Sequence, residues 1–389
     1  GYAESVAVDS SGNAYTTGHF SGTVDFDPGP GTTNLTSVGT SDNDVFVSKL
    51  DSSGNLVWAK NFGAYVDWNE TGRTLAVDGS GNAYITGSFV GTVDFDPGPG
   101  TTNLTSTGTG SDGYVSKFDS SGNLVWAKAF SSGGVYAESV AVDGSGNVYA
   151  TGHFAVGALE HLDADPGPGT FNLTPPPGTG SEIFVLKLDS SGNLVWAKNF
   201  GTYSFSVAVD GSGNAYITGT FSGTYDFDPG PGTTNLSTAG TWDLDAFVSK
   251  FDSSGNLVWA KSFSSTGTSG RGYSVAVDGS GSVYTTGHFN GTSDFDPGAG
   301  TANLTAASGL DPFVSKLDSS GNYVWARSLD GGNFETVAVD GSGNVYITGD
   351  FYGTVDFDPG EGIINFTSSS VDRFFVKLDS SGNLGTGAV

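Results

Sequence analysis

The chain has 389 residues, length for about two or three ordinary domains. Its 62 glycines, 13% aromatic residues and only 14% charged residues suit short strands and tight turns better than helices. A formal charge of -27, with 14 Lys and Arg in all, excludes a phosphate-binding surface and hence a nucleic-acid partner, and the absence of Cys and Met excludes both a disulfide framework and a thiolate metal site.

The chain starts at Gly1 without an initiator Met, so a processed product is expected, with any signal peptide upstream. The first copy of an internal repeat then begins. Ser5 to Val8, Ala14 to Thr17, Val45 to Leu50 and Leu56 to Phe62 are predicted strands, each short, rich in Val, Tyr, Phe and Trp, and bounded by Gly, Asn, Asp or Ser. Asp9-Ser10-Ser11-Gly12-Asn13 joins the first pair and Asp51-Ser52-Ser53-Gly54-Asn55 the last. Asp bonds the backbone two residues on, and Gly and Asn accept positive φ, so both are predicted hairpin turns.

The unit recurs every 65 residues or so. Val-Ala-Val-Asp, with slight variation, ends at Asp9, Asp78, Asp143, Asp210, Asp278 and Asp340; Asp-Ser-Ser-Gly-Asn starts at Asp51, Asp119, Asp189, Asp252, Asp318 and Asp379. Apolar residues stand on both faces of the outer strand, Leu56 and Trp58 on one and Val57 and Ala59 on the other, so the sheet needs cover on both sides. Radial stacking provides it. The expected fold is all-β: a six-bladed β-propeller of four-stranded antiparallel blades, forming one domain over 1–389 with blades at 1–63, 64–131, 132–201, 202–264, 265–330 and 331–389. Small Ala7 suits a crowded place near the axis, and Trp58, Trp126, Trp196, Trp259 and Trp325 are expected to pack between blades.

The runs Val6 to Tyr15 and Val45 to Lys60 resemble the bacterial SBBP-type β-propeller repeat and, more distantly, the NHL repeat. The resemblance covers essentially the whole chain and implies a secreted or cell-surface scaffold with varied partners, of seven blades where six copies stand here. Blade 6 departs from the pattern: after Asp379 to Asn383 comes Leu384-Gly385-Thr386-Gly387-Ala388-Val389 in place of Leu-Val-Trp-Ala-Lys, so its outer strand is expected to be incomplete. An unpaired edge invites strand addition from another subunit or from upstream residues; a frayed terminus is the competing reading.

Longer connections, between second and third strands and between blades, lie at the opposite end from the two tight turns and carry nearly all the variation. Function is expected on that variable face. Its most regular feature is an acid pair, Asp25 and Asp27, repeated at Asp94 and Asp96, Asp163 and Asp165, Asp226 and Asp228, Asp294 and Asp296, and Asp356 and Asp358. In an extended segment the two carboxylates share a side while the intervening Phe turns to the core. Calcium, which takes about 6–8 oxygen ligands, suits such pairs; a purely structural turn before Pro-Gly is the other reading. Blade 3 has Ala164 for Phe and inserts Ala155 to His161.

Glycosylation-type triplets start at Asn34, Asn103, Asn172, Asn235, Asn303 and Asn365, and again at Asn69 and Asn290. Alternation explains them equally, with Leu inward and Asn and Thr outward. The histidines, His19, His153, His161 and His288, are expected on the surface. Trp68 and Trp242 do not recur and could stack on a sugar; Glu70, Glu160 and Glu182 are also unrepeated. No nucleophile with a matched base stands out from the repeated background, so an enzyme is not expected. Two functions remain: an extracellular or cell-surface structural or adhesive scaffold, self-associating into filaments through blade 6 and stabilised by calcium, or a carbohydrate-binding propeller using the variable face.

Overall fold

The computed structural model describes the chain except for residues 39–42, 64–70, 108–109, 132, 156–160, 177–180, 241–242, 308, 361 and 386–389. Its described secondary structure is all β: six antiparallel blades in a propeller arrangement, the sixth with three strands. The chain divides into two compact units, Gly1–Asn199 with blades 1 to 3 and Phe200–Val389 with blades 4 to 6.

Blade 1 consists of Tyr2–Val8, Ala14–Phe20, Asp44–Leu50 and Leu56–Phe62, paired in chain order from the inner strand outward. Blade 2 repeats this with Thr71–Val77, Ala83–Phe89, Asp112–Phe118 and Leu124–Phe130, and blade 3 with Val135–Val142, Val148–Ala155, Ser181–Leu188 and Leu194–Phe200. In the second unit the inner strands are Tyr203–Val209, Gly270–Val277 and Asn333–Val339. Within each unit, inner strands of successive blades lie against one another.

The turn prediction is borne out. Asp9 Oδ1 accepts the amides of Ser11 and Asn13 at 2.9 and 3.0 Å, and Gly12 holds a φ of 80° that its lack of Cβ permits. The strands run further than expected, and the inner strand of every blade carries a β-bulge two residues before the Val-Ala-Val run, in blade 1 between Ala3 and Ser5. A bulge shifts the alternation, which is why the apolar pattern hid the first residues of these strands. The second-to-third connection also folds back as a short hairpin of its own, Thr23–Asp25 with Asn34–Thr36 in blade 1. In blade 6 this hairpin merges with the blade, giving strands Val345–Asp356 and Asn365–Leu378.

Blades are joined by a repeated ladder of side chains. Lys49 Nζ lies 4.8 Å from the centre of the Tyr15 ring, Trp58 meets the same ring edge-on at 6.0 Å, and the indole N–H donates to Ser120 O of the blade 2 turn at 3.1 Å. Trp126, Trp259 and Trp325 likewise donate to Ser190, Ser319 and Ser380, as expected of packing between blades. On the inner strands, the Leu75 amide donates to Ser5 Oγ of blade 1, and Val140 to Thr74 Oγ1 of blade 2.

Cover is complete at these joints and missing at the chain's ends. Leu75, Val140, Val275 and Val337 are 5–8% exposed, whereas their blade 1 counterpart Val6 is 66% exposed. At the other end Phe375 of blade 6 is 52% exposed, against 0–1% for Val47, Val115, Val248 and Val314 in the same slot.

Candidate functional site

The bulge puts one extra residue into each inner strand at the end carrying the variable connections. Those residues are Glu4, Arg73, Glu138, Phe205, Tyr273 and Glu335, each followed by a Ser or Thr. Bulges re-aim side chains, and here they bring the variable residue beside the histidine-bearing end of the second strand. His19 Nδ1 lies 3.5 Å from Glu4 Oε1. In blade 3, Glu138 lies 3.6 Å from Arg73 of blade 2, its other oxygen 3.9 Å from His153 Nδ1, and Tyr136 stacks on the His153 ring at 5.0 Å. In the second unit Tyr273 Oη lies 2.8 Å from His288 Nδ1, Ser269 Oγ 3.2 Å from Nε2, and Phe205 meets the Tyr273 ring edge-on. Glu335 forms an ion pair with Arg373.

Burial governs the protonation of Glu138, His153 and His288. It lifts the Glu138 carboxyl above its ordinary range despite the opposing pull of Arg73. His153 falls to about 4 through burial and then the Arg73 charge, and His288 to about 4 through burial and then Arg271. The expectation of surface histidines fails for His288, which is buried, and holds only in part for half-buried His153, each being covered by the residue beside it, Tyr273 over His288 and Tyr136 over His153. Sequence reading missed the cluster; its signal was a charged or aromatic residue changing from copy to copy at one fixed place.

A second ring of acids is structural. Asp44, Asp112, Asp245 and Asp311 open the third strands and are buried. Asp112 Oδ2, for example, accepts from the Thr107 amide at 2.8 Å and from Ser131 Oγ at 2.8 Å. Glu182, read as unrepeated, occupies this same slot, paired with Phe154 as Asp44 is with Phe20.

The acid pairs sit in turns held by their own backbone. Asp25 Oδ1 accepts the amides of Asp27 and Thr33 at 3.0 and 2.8 Å, and Asp27 Oδ1 that of Gly29 at 2.8 Å. The same bonds recur at Asp94 and Asp96, Asp163 and Asp165, Asp226 and Asp228, Asp294 and Asp296, and Asp356 and Asp358. Among the described residues no group of three or more His, Asp or Glu is placed to hold a metal ion. The intervening Phe95, Phe227, Phe295 and Phe357 are fully buried, as alternation requires.

Asn34, Asn103, Asn172, Asn235, Asn303 and Asn365 stand exposed on the short hairpins. Their triplet partners do structural work, Thr36 bonding Thr23 at 2.9 Å and Thr105 bonding Thr92 at 2.8 Å across the hairpin. Trp68, Trp242, Asn69, Glu70 and Glu160 lie outside the described residues.

No family model matches the chain. It is 24% identical over 427 residues to a WD repeat-containing protein, L264, of Acanthamoeba polyphaga mimivirus, itself uncharacterized, an alignment covering 91% of this chain and 30% of that protein. The chain thus spans about a third of the length of that relative. Among solved structures it is similar to a protein of unknown function from Bacteroides caccae, with 11% identity, a TM-score of 0.39 and coverage of 87% of this chain and 88% of that one. It is also similar to the Dos1 propeller, with 10% identity, a TM-score of 0.43 and coverage of 98% and 79%.

Proposed function

We propose that the chain is a non-catalytic scaffold of the secreted or cell-surface kind, built from SBBP-type repeats, that joins other chains by strand addition at blade 6. One observation carries this reading. The third strand of blade 2 is flanked by Leu124–Phe130, but in blade 6 the matching edge of Asn365–Leu378 pairs, among the described residues, only as far as the Leu378–Leu384 bridge and the bond from the Gly385 amide to Lys377 O at 2.9 Å. An open edge of unpaired amides and carbonyls is a template for a strand from another molecule.

The test replaces residues 384–389 with Leu-Val-Trp-Ala-Lys-Asn-Phe, the outer strand of blade 1. Sedimentation should show concentration-dependent association of the parent chain and a monomer for the completed variant; identical behaviour of the two would overturn the reading. For the acid pairs we favour the stapled turn over calcium, since Oδ1 of both carboxylates already accepts backbone amides. EDTA is expected to leave Tm unchanged, and a clear fall in Tm would restore calcium.

A further inference from the structure

The outer strand of one blade ends in a phenylalanine that enters the next blade. Phe62 lies 5.0 Å from Phe95, 6.0 Å from Tyr114 and 5.8 Å from Phe118 of blade 2, ring centre to ring centre. Phe200 meets Phe227, Phe247 and Phe251 of blade 4 at 5.1–6.3 Å, and Phe263 meets Phe295 and Phe313 of blade 5 at 5.1 and 5.8 Å. Phe130 reaches Phe184 of blade 3, and Leu329 takes the same place against blade 6. Each inserted ring is at most 3% exposed. The backbone follows, with Gly63 bridging to Asp94 and Ser131 to Asp163 on the short hairpin of the blade that receives it.

Blade 1 has the same socket, and among the described residues of its own unit no outer-strand phenylalanine enters it. Phe26 lies 4.8 Å from Phe46 and 5.3 Å from Phe20, matching the 4.9 Å of Phe95 to Tyr114 and the 5.5 Å of Phe95 to Phe89 in the filled socket of blade 2. The walls therefore stand in the filled geometry. Between them opens a cavity of about 360 Å3, lined by Tyr2, Phe20, Val24, Phe26, Pro28 and Phe46. Val24 and Phe26 are half-buried where Val93 and Phe95 of blade 2 are fully buried, and beside them lie exposed Val6 and Val8.

On the scaffold reading, we propose that this face of blade 1 binds the outer strand of a further blade of the Leu-Val-Trp-Ala-Lys-Xaa-Phe type, its terminal Phe entering the socket of Phe20, Phe26 and Phe46. The occupant follows from the molecule itself: the sockets of blades 2 to 5 each receive the terminal Phe of such a strand, and that of blade 6 receives Leu329 at the same place. The C-terminal segment of a second copy of this chain, Leu384-Gly385-Thr386-Gly387-Ala388-Val389, carries neither Trp nor Phe and does not fit.

The experiment fuses an added copy of residues 132–201 directly to Gly1. Only Gly201 and Thr202 separate Phe200 from the inner strand Tyr203–Val209, so the fusion reproduces a link the chain already uses. Hydrogen exchange of the Tyr2–Val8 amides should slow by about tenfold or more relative to the parent chain. That protection should disappear with Phe200→Ala in the added copy, and equally with Phe26→Ala in blade 1. Unchanged exchange in the fusion, or protection that survives both substitutions, would overturn the proposal. So would a parent chain that forms a dimer in sedimentation with the same amides already protected, which would make a second copy the occupant. The blade 6 reading is tested at the other terminus, so either can fail alone.

Discussion

The joints inside each unit and the two end faces are built from the same residues, yet they differ in almost every physical respect. Leu75 sits under blade 1 and is 6% exposed, whereas Val6 is 66% exposed, although both belong to the same copied run. Apolar character in this chain marks where a neighbour is required, and only the neighbour turns it into stability. Apolar burial contributes roughly 25 cal/mol per Å2 removed from water, so the end faces carry attraction not yet used within the chain. A repeat protein of this kind is stabilised joint by joint, and its ends are where it meets other molecules.

The largest effect should come from emptying an occupied socket. Phe62→Ala is expected to cost about 3–5 kcal/mol in urea unfolding and Leu75→Ala about 2–5 kcal/mol, because each leaves a cavity in a packed joint. Val6→Ala at the open face should stay within about 0.5 kcal/mol, as exposed substitutions do. Equal costs for Leu75→Ala and Val6→Ala would break the comparison, since both faces would then be covered in solution.

A smaller difference is expected at the lysine ladder. Lys117 lies 5.0 Å from the centre of the Tyr84 ring and donates to Ser190 O of the next blade at 3.3 Å, while Lys377 of blade 6 lies 5.2 Å from the Tyr346 ring and makes no such bond among the described residues. Lys117→Met should therefore lose both a charged hydrogen bond and the ring contact, about 2 kcal/mol together, whereas Lys377→Met should lose only the contact, about 0.5–1 kcal/mol. Paired thermal melts of the two variants check it. An equal loss would mean that the bond to the neighbouring turn contributes nothing.

These contrasts also explain what could be read in advance. The turns at Asp9 and Asp51, the interblade Trp58 and the inward Phe95 were legible because each is fixed by local chemistry repeated five or six times. The stop of blade 6 was legible because Leu384-Gly385-Thr386 breaks that repetition. The partnership of Lys49 with Tyr15 was not, since the two meet only through strand register, and neither residue announces its partner in sequence. The bulge at Glu4 was hidden for a related reason: one inserted residue flips the side-chain phase of the inner strand, so its variable residue comes beside histidines read as surface polar residues, of which His288 is buried and His153 half-buried. Glu182 looked solitary because the slot it fills is defined by pairing with Phe154 across the sheet, and not by a constant residue type.

The smallest expected effect is the pH dependence of one buried joint. Asp245, fully buried at the start of a third strand, is pushed up to about 6 by burial and by the nearby Asp243 charge, against one bond from the Ser265 amide. Its folded pKa lies above the ordinary value of 3.8, so the folded state binds this proton first, and stability from this site increases as pH falls from about 7 through 6. Asp245→Asn removes the penalty on the charge; the variant should be more stable than the parent at pH 7, with the advantage shrinking toward pH 5. His153 and His288 work in the opposite direction, because their folded values lie below 6.5 and stability is lost as pH falls toward about 4. Both chains carry these histidines, so the difference in Tm between variant and parent cancels them. A gain in Tm for Asp245→Asn that is the same at pH 7 and pH 5 would overturn this account of the joint.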